Sequence, residues 1–323
     1  MGPAFDPQAF FRIDTSDSSI DLPALLRRLE KPAGPVDVVL DTDTYNEVDD
    51  QFALSYLVKM GDRLRLQAIY AAPFFNEKST GPEDGMEKSY REILTLLGLL
   101  HREDLKPRVY KGSPRYLPSE TESVASPAAE HLAKLAAGYT PENPLYVVAL
   151  GAITNVASAL LLEPSIRDKV VIVWLGGHAH DWPKNNEFNL AQDVAAARVV
   201  FGCGAAVVQL PCMGVVSGFQ LSRADLETYL KGKNPLCDYL VDTVLRDMEH
   251  AEVPTWSRVI WDVTAVAWLA EGDFLEDRLE HSPIPEYGDR YSFDHNRHFI
   301  RYVYHVYRDR LFADLVAKLT QDS

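Results

Sequence analysis

Cysteine is scarce in this chain: Cys203, Cys212 and Cys237 are all there are among 323 residues, and no two of them show a CxxC spacing. A sparse, odd-numbered set excludes the disulfide framework of a small secreted domain and reads as three reduced structural thiols in a cytoplasmic protein. No apolar run approaches the ~18 residues that a membrane helix needs. The first residues, Met1 to Ser19, lack the basic start and apolar centre of a signal peptide. Positive charge is also in deficit, with 32 Lys and Arg against 47 Asp and Glu and a net charge of -15. Such a surface repels phosphate backbones, so neither nucleic acid nor a membrane is expected as a partner, whereas a neutral or metal-bound small molecule is accommodated. Internal repeats, low-complexity tracts and long linkers are missing as well.

What remains is an ordinary globular composition, 46% hydrophobic and 24% charged, in a chain long enough for one large α/β domain. Short β-branched runs alternate with amphipathic stretches. Val36 to Leu40, Leu64 to Ala72, Leu145 to Leu150, Val170 to Leu175 and Ala205 to Leu210 read as strands. Helices are expected after Asp49 (Phe52, Tyr56 and Met60 recur with period four), over Met86 to Leu100, Asn155 to Leu162 and Gln192 to Phe201. Ser222 to Ala270 reads as mostly helical, and a strand from Phe299 to Val306 precedes a closing helix from Arg308 to Leu319. The Pro-rich stretch from Lys111 to Pro127 reads as a long surface loop. Alternation with short connections implies an open, mainly parallel, Rossmann-like sheet flanked by helices, with a helical region in the C-terminal half, forming a single domain over residues 1–323. In such sheets ligands sit at the carboxyl ends of the strands. The loops after Leu40, Ala72, Leu150 and Leu175 are therefore the places to look.

The first of these loops, VVLDTDTYNEVDD, gathers Asp41, Asp43, Asp49 and Asp50, with Glu47 between them. Asp41 and Asp43 are two residues apart at a strand end and share an edge. Asp49 and Asp50 fall in the first turn of a helix, where the macrodipole favours carboxylates. The bland alternative is a capping Asp49 with the others solvated. Yet this many like charges beside a buried strand are costly unless a cation compensates, and oxygen-only donors point to a hard cation, calcium or magnesium.

Two enzyme classes resemble this loop. LDTDT matches the DxDx(T/V) strand end of haloacid-dehalogenase-like phosphohydrolases, but over five residues only, and the strand VVIVWL leads into Gly176-Gly177-His178 where that class has an acidic pair. The wider resemblance is to the nucleoside hydrolase family of the inosine-uridine-preferring type, whose strand-end DxD is followed closely by DD. Here two extra residues separate the pairs, and Thr44 to Val48 replaces the usual Pro-Gly. Leu150-Gly151-Ala152-Ile153-Thr154-Asn155 resembles the family's G-P-L-T-N segment. Asp181 to Asn189, ending in Glu187-Phe188-Asn189, resembles its ribose-binding stretch, with Asp181 where Asn is usual, and Asp193 followed by Ala195-Ala196 continues the match. Trp261-Asp262-Val263-Thr264-Ala265-Val266-Ala267 resembles H-D-P-L-A-V-A. The resemblance spans about Val36 to Leu319.

The resemblance implies hydrolysis of the N-glycosidic bond of a ribonucleoside around a calcium ion. Asp43 is then base and ligand, Asp50, Asp262 and the Thr154 carbonyl are further ligands, and Asp41 is a supporting partner. Asp49, Glu187, Asn189, Asp181 and Asn76 are assigned to the ribose, and a homodimer or homotetramer is implied. Trp261 stands where the family has a His that can protonate the leaving base; an indole cannot do so but can stack on a purine. His178, His180, His250, Glu252 and Arg258 are candidates for base contacts. The changes at Thr44 to Val48, Asp181 and Trp261 leave a non-catalytic riboside-binding protein as the third reading.

Overall fold

The computed structural model describes residues 20–321; Met1 to Ser19, the stretch without signal-peptide features, lies outside them. In chain order the elements are α1 (Leu22–Arg28), β1 (Val36–Thr42), α2 (Asp49–Lys59), β2 (Leu64–Ala71), α3 (Pro82–Leu99), β3 (Val109–Lys111), α4 (Pro127–Ala137), β4 (Leu145–Ala149), α5 (Thr154–Leu162) and β5 (Val170–Leu175). They continue as α6 (Phe188–Gln192), α7 (Val194–Gly202), β6 (Ala206–Leu210), β7 (Gln220–Ser222), α8 (Arg223–Tyr229), α9 (Pro235–Asp247), β8 (Ser257–Val259) and α10 (Val263–Leu269). The chain closes with β9 (Leu275–His281), β10 (Ile284–Glu286), β11 (Arg290–Ser292), β12 (Phe299–Val306) and α11 (Arg308–Leu319).

Eight strands form the central sheet in the order β3-β2-β1-β4-β5-β6-β12-β9, parallel except for β9 at one edge. The expected parallel α/β sheet is present, and so is the helical run α8–α10. Each central strand is apolar on both faces because helices cover both. Along β1, Val38 and Leu40 pack into one core with α2, α3, α9, α10 and α11, whereas Val39 packs into the other with α4, α5 and α7. Among the described residues no helix is long and apolar enough to cross a membrane.

The structure departs from the sequence reading in two places. β1 runs on through Asp41 and Thr42, which pair with Ala149 of β4 and Ala71 of β2, so two polar residues end a strand that composition closes at Leu40. β9, Leu-Glu-Asp-Arg-Leu-Glu-His, has no strand-like composition; it is an edge strand, and edges tolerate charge because one side faces water. The Pro-rich segment before α4 is irregular as expected, but Ser113, Leu117, Val124 and Ser126 within it are buried.

From β1 the chain builds outward through β2 to β3, then crosses back to β4 and continues the other way through β5 to β6. The order reverses between β1 and β4, and the carboxyl ends of those two strands are where such a sheet opens a crevice. Asn155, at the second position of α5, ties this point together. Its Nδ2 donates to Asp41 Oδ1 at 2.8 Å and to the Ala71 carbonyl at 3.3 Å, while its Oδ1 accepts from Ser113 N at 2.7 Å and Ser113 Oγ at 2.9 Å. All of these groups are buried, so none can turn to water instead. Asn155→Ala is expected to destabilise the protein by about 3 kcal/mol, because it strands a carboxylate oxygen and an amide together. Urea denaturation measures this, and a loss under about 1 kcal/mol would mean that the network does not hold the strand ends.

Candidate active site

A cavity of about 190 Å³ opens at this switch point, lined by Asp43, Asn46, Glu47, Asp49, Asp50, Leu150, Leu175, His178, Asn186, Glu187, Phe188, Asn189, Cys212, Met213, Trp261 and Asp262. Four strand ends (β1, β4, β5 and β6) and three helix starts (α2, α6 and α10) converge here. Thr42, on the α2 face of β1, donates its hydroxyl to Asp50 and lies 2.9 Å from Thr44 Oγ1. Asp49 and Asp50 open α2 behind Val48, whose side chain makes no cap. Asp262 stands at the N-cap position of α10 yet makes no side-chain cap hydrogen bond, which removes the purely structural reading of that residue.

Carboxylate oxygens of Asp49, Asp50 and Asp262 lie within 4.8 Å of one another. Asp43 is 1% exposed, and no donor reaches either of its oxygens among the described residues; Asp41 Oδ2 and Asp49 Oδ1 are likewise buried without a partner. Its surroundings are instead the negative charges of Asp50, Glu47 and Asp49. Buried carboxylates left in this state want a cation, and the all-oxygen donor set suits a hard divalent ion. The sequence reading took Asp43, Asp50 and Asp262 as the side-chain ligands. In the structure Asp49 belongs to the tight trio, and Asp43 adjoins it.

Burial raises the carboxyls of Asp41 and Asp50 to about 7. The Asn155 bond to Asp41 and the Thr42 bond to Asp50 oppose that rise. Asp43, Asp49 and Asp262 are raised well above the usual range, first by burial and then by neighbouring negative charge.

The opposite bank comes from the loop after β5. Gly177, at φ +75, turns the chain so that its N–H donates to Glu187 Oε2 at 2.8 Å; a side chain there would also collide with the Tyr291 hydroxyl. Glu187 caps α6 by accepting from Asn189 N and Leu190 N at 2.8 and 2.9 Å. Asn189 spends its amide hydrogens on the carbonyls of Leu150 and Leu175, at 2.8 and 3.0 Å, which leaves Oδ1 as the polar atom it can offer. Gly151 backs Asp43: a Cβ at this position would come within 3.1 Å of the Asp43 carboxyl carbon.

Of the residues singled out in the sequence, Asp43, Asp49, Asp50, Glu187, Asn189, Trp261 and Asp262 come together around the cavity. Asp41 sits behind it on Asn155. Three residues are not brought to the wall. Asp181 is exposed, because the short loop after Gly177 turns out to solvent there, and Asn185 and Asn186 follow it inward. Asn76 stands one step back, donating to Asn46 Oδ1 at 2.7 Å. Thr154 opens α5 with its hydroxyl on Asp193 Oδ2 at 2.6 Å. Among the base-contact candidates, His178 lines the cavity, while His180 is enclosed with its Nε2 on Gln209 and Arg258 is ion-paired behind Glu47. His250 and Glu252 are exposed away from it. The sequence reading passed over Asn46, Asn186, Phe188, Cys212 and Met213 as wall residues. The strand-end rule applied to β6 would have found the last two.

The family model described as inosine-uridine preferring nucleoside hydrolase matches residues 38–312. A pyrimidine-specific ribonucleoside hydrolase, RihA, of Salmonella enteritidis is 28% identical over 241 residues, covering 66% of this chain and 77% of that protein. Among solved structures, a purine-preferring ribonucleoside hydrolase from Gardnerella vaginalis superposes with a TM-score of 0.72 at 20% identity, over 88% of this chain and 98% of that one. A plant nucleoside hydrolase does so with a TM-score of 0.70 at 19% identity, over 89% and 100%.

The raised carboxyls have a consequence for stability. An acid whose folded pKa of about 7 exceeds its unfolded value near 3.9 keeps its proton longer when folded, so ionising it costs stability as pH rises through that window. In a chelator, the melting temperature is expected to fall on the order of 5 °C between pH 5 and pH 8. Calcium should restore it at pH 8 and do little at pH 5. Scanning calorimetry reads this, and a metal-free melting temperature that rises across the window would contradict the cluster's electrostatics.

Proposed function

The chain belongs to the inosine-uridine preferring nucleoside hydrolase family, an N-glycosyl hydrolase of ribonucleosides, and we propose that it cleaves their N-glycosidic bond with water activated by Asp43. The reading rests above all on the Asp43 carboxylate, buried at the cavity with neither oxygen hydrogen-bonded and flanked by the Asp49–Asp50–Asp262 trio. A general base needs a free acceptor facing the reacting water, and Asp43 keeps both oxygens free in surroundings that favour proton uptake. The phosphatase-like and non-catalytic readings find no comparable support.

Asp50 and Asp262, with Asp49 beside them, would hold a divalent ion, calcium being the choice that fits carboxylate donors in a roomy site. When bound, such an ion supplies the positive charge that lowers the pKa of nearby water and offsets the crowded carboxylates. Asp43 then takes the proton of the attacking water as the bond from C1′ to the base nitrogen breaks. The ribosyl group passes through an oxocarbenium-like state, which the surrounding carboxylates stabilise by charge. Glu187, fixed by three backbone N–H groups, and the Oδ1 of Asn189 orient ribose hydroxyls from the β5 side. Asp49 does so from the β1 side, and Asn76 supports it through Asn46. A cytoplasmic setting suits the three cysteines, all buried and free; a homodimer or homotetramer is the assembly that goes with this reading.

Asp43→Asn is expected to lower ribose release from ribonucleosides by about 1,000-fold while the fold, read by circular dichroism, is retained. A reducing-sugar assay over purine and pyrimidine ribonucleosides tests it, and undiminished turnover in that variant would remove Asp43 as the base.

A further inference from the structure

Six carboxylates line the catalytic cavity, Asp43, Asp49, Asp50, Asp262, Glu47 and Glu187, and no lysine or arginine does. The proposed chemistry uses five of them, for the metal, the water and the ribose. Glu47 is left over. It lies in the stretch with two extra residues between the paired aspartates, and it is held in place from outside. Arg258 Nη2 donates to Glu47 Oε2 at 2.8 Å and Arg258 Nε meets Asp247 Oδ2 at 3.1 Å; Lys78 Nζ is 3.8 Å from Asp247 Oδ1 and donates to the Asn46 carbonyl at 2.6 Å. The pairs close a ring that ties the acidic loop to β8, to the end of α9 and to the loop after β2. Glu47 Oε1 has no hydrogen-bond partner among the described residues.

Glu47 and Trp261 stand on the same bank, since Arg258 grips Glu47 only three residues before Trp261. The ribose-orienting Glu187 and Asn189 rise from the β5 bank, with β4 between. A riboside seated by its hydroxyls on Glu187, Asn189 and Asp49 therefore sends its base toward Glu47 and Trp261.

Neither Glu47 nor Trp261 donates a proton to a leaving group. Indole offers only a neutral N–H, and Glu47 is held as the carboxylate partner of a guanidinium. His178, across the cavity, accepts from Met213 N at Nδ1, and burial lowers its pKa, so its imidazole is neutral. When the C1′–N bond of a neutral nucleoside breaks, the electron pair stays on the base, which departs as an anion that must be protonated. When the base nitrogen is quaternary, as in an N-ribosylpyridinium, the same electron pair cancels the positive charge. The base then departs neutral without a proton, while water adds to C1′ and gives its proton to Asp43.

We propose that this site selects ribosides whose aglycone is cationic, with Glu47 and Trp261 as specificity-determining residues and Arg258 as the positioning residue that holds Glu47. The inference rests on the riboside hydrolysis proposed above. Glu47 attracts the ring charge from a cavity whose own lining holds no lysine or arginine among the described residues, its partner Arg258 standing behind it, and an indole face is the strongest aromatic partner for a cation.

The test compares N1-ribosylnicotinamide and 7-methylguanosine, both cationic, with uridine and guanosine, following kcat/KM for the wild type, Glu47→Gln and Arg258→Met. In Glu47→Gln the cationic-to-neutral ratio of kcat/KM is expected to fall by about tenfold or more, carried by KM for the cationic ribosides. The intrinsic lability of the pyridinium bond is the same for every variant and cancels from the comparison. Arg258→Met, which leaves the carboxylate in place but loosens it, should lower kcat/KM for the cationic ribosides while Glu47→Gln adds little on top of it. A wild type that binds neutral ribosides as tightly as cationic ones, or a ratio untouched by Glu47→Gln, would overturn the assignment. A protein that cleaves none of the four overturns the hydrolysis itself, and this inference with it.

Discussion

Everything at this site follows from carboxylates buried together without protein cations among them. Asp43, Asp49, Asp50 and Asp262 are each at most 2% exposed, and placing such a group in a protein interior costs several kcal/mol unless something opposite in charge is near. The fold lowers that cost piecemeal. Thr42 donates to Asp50 and Asn155 to Asp41, at the carboxyl end of an apolar strand that pairs with β2 and β4. These bonds remove part of the penalty and leave Asp43 uncompensated. The remaining demand for positive charge is what a divalent ion and a ribosyl cation can each meet, so the same unfavourable burial serves metal affinity and transition-state stabilisation.

The sheet was legible because its signal is physical and repeated. Runs such as Val-Val-Ile-Val-Trp-Leu can hardly be anything but a strand buried on both faces, and five of them with helices between impose the parallel order and so the crevice at β1 and β4. The acidic loop was legible for a similar reason, since no solvated surface needs four aspartates at a strand end. The far wall was less so. Asp181 follows the family pattern by position, but the loop after Gly177 turns that side chain out to solvent, and Asn186 lines the cavity instead. Asn76 shows the same limit: its neighbourhood was right, but Asn46 from the inserted stretch stands in front of it. Cys212 and Met213 were invisible because nothing in their own chemistry marks them; only the end of β6 does. β9, a charged edge strand, carried no periodic signal at all.

The two banks of the cavity are built from different materials. On the β5 side, Glu187 is gripped by three backbone N–H groups and Asn189 by two backbone carbonyls. Main-chain partners belong to every sequence with this turn, so that bank is insensitive to side-chain replacement elsewhere. On the β1 side, Glu47 is gripped by side chains alone, in a ring of ion pairs reaching three loops or helix ends. Partly exposed ion pairs of this kind contribute little to stability, so their geometry can change without endangering the fold.

This division separates chemistry from selectivity in physical terms. In the proposed reaction the sugar and the water need a fixed geometry, because misplacing reacting atoms by an ångström forfeits most of the rate, and the rigid bank and the strand ends would supply it. The base needs only to be told from other bases, and it meets loops whose residues are held by replaceable side chains. A fold of this kind can keep its sugar end and rebuild the other. In this chain the rebuilt end exchanges an imidazole for an indole and adds a carboxylate. Both changes remove help for a base that leaves as an anion, and both favour one that arrives with a positive charge and leaves without it.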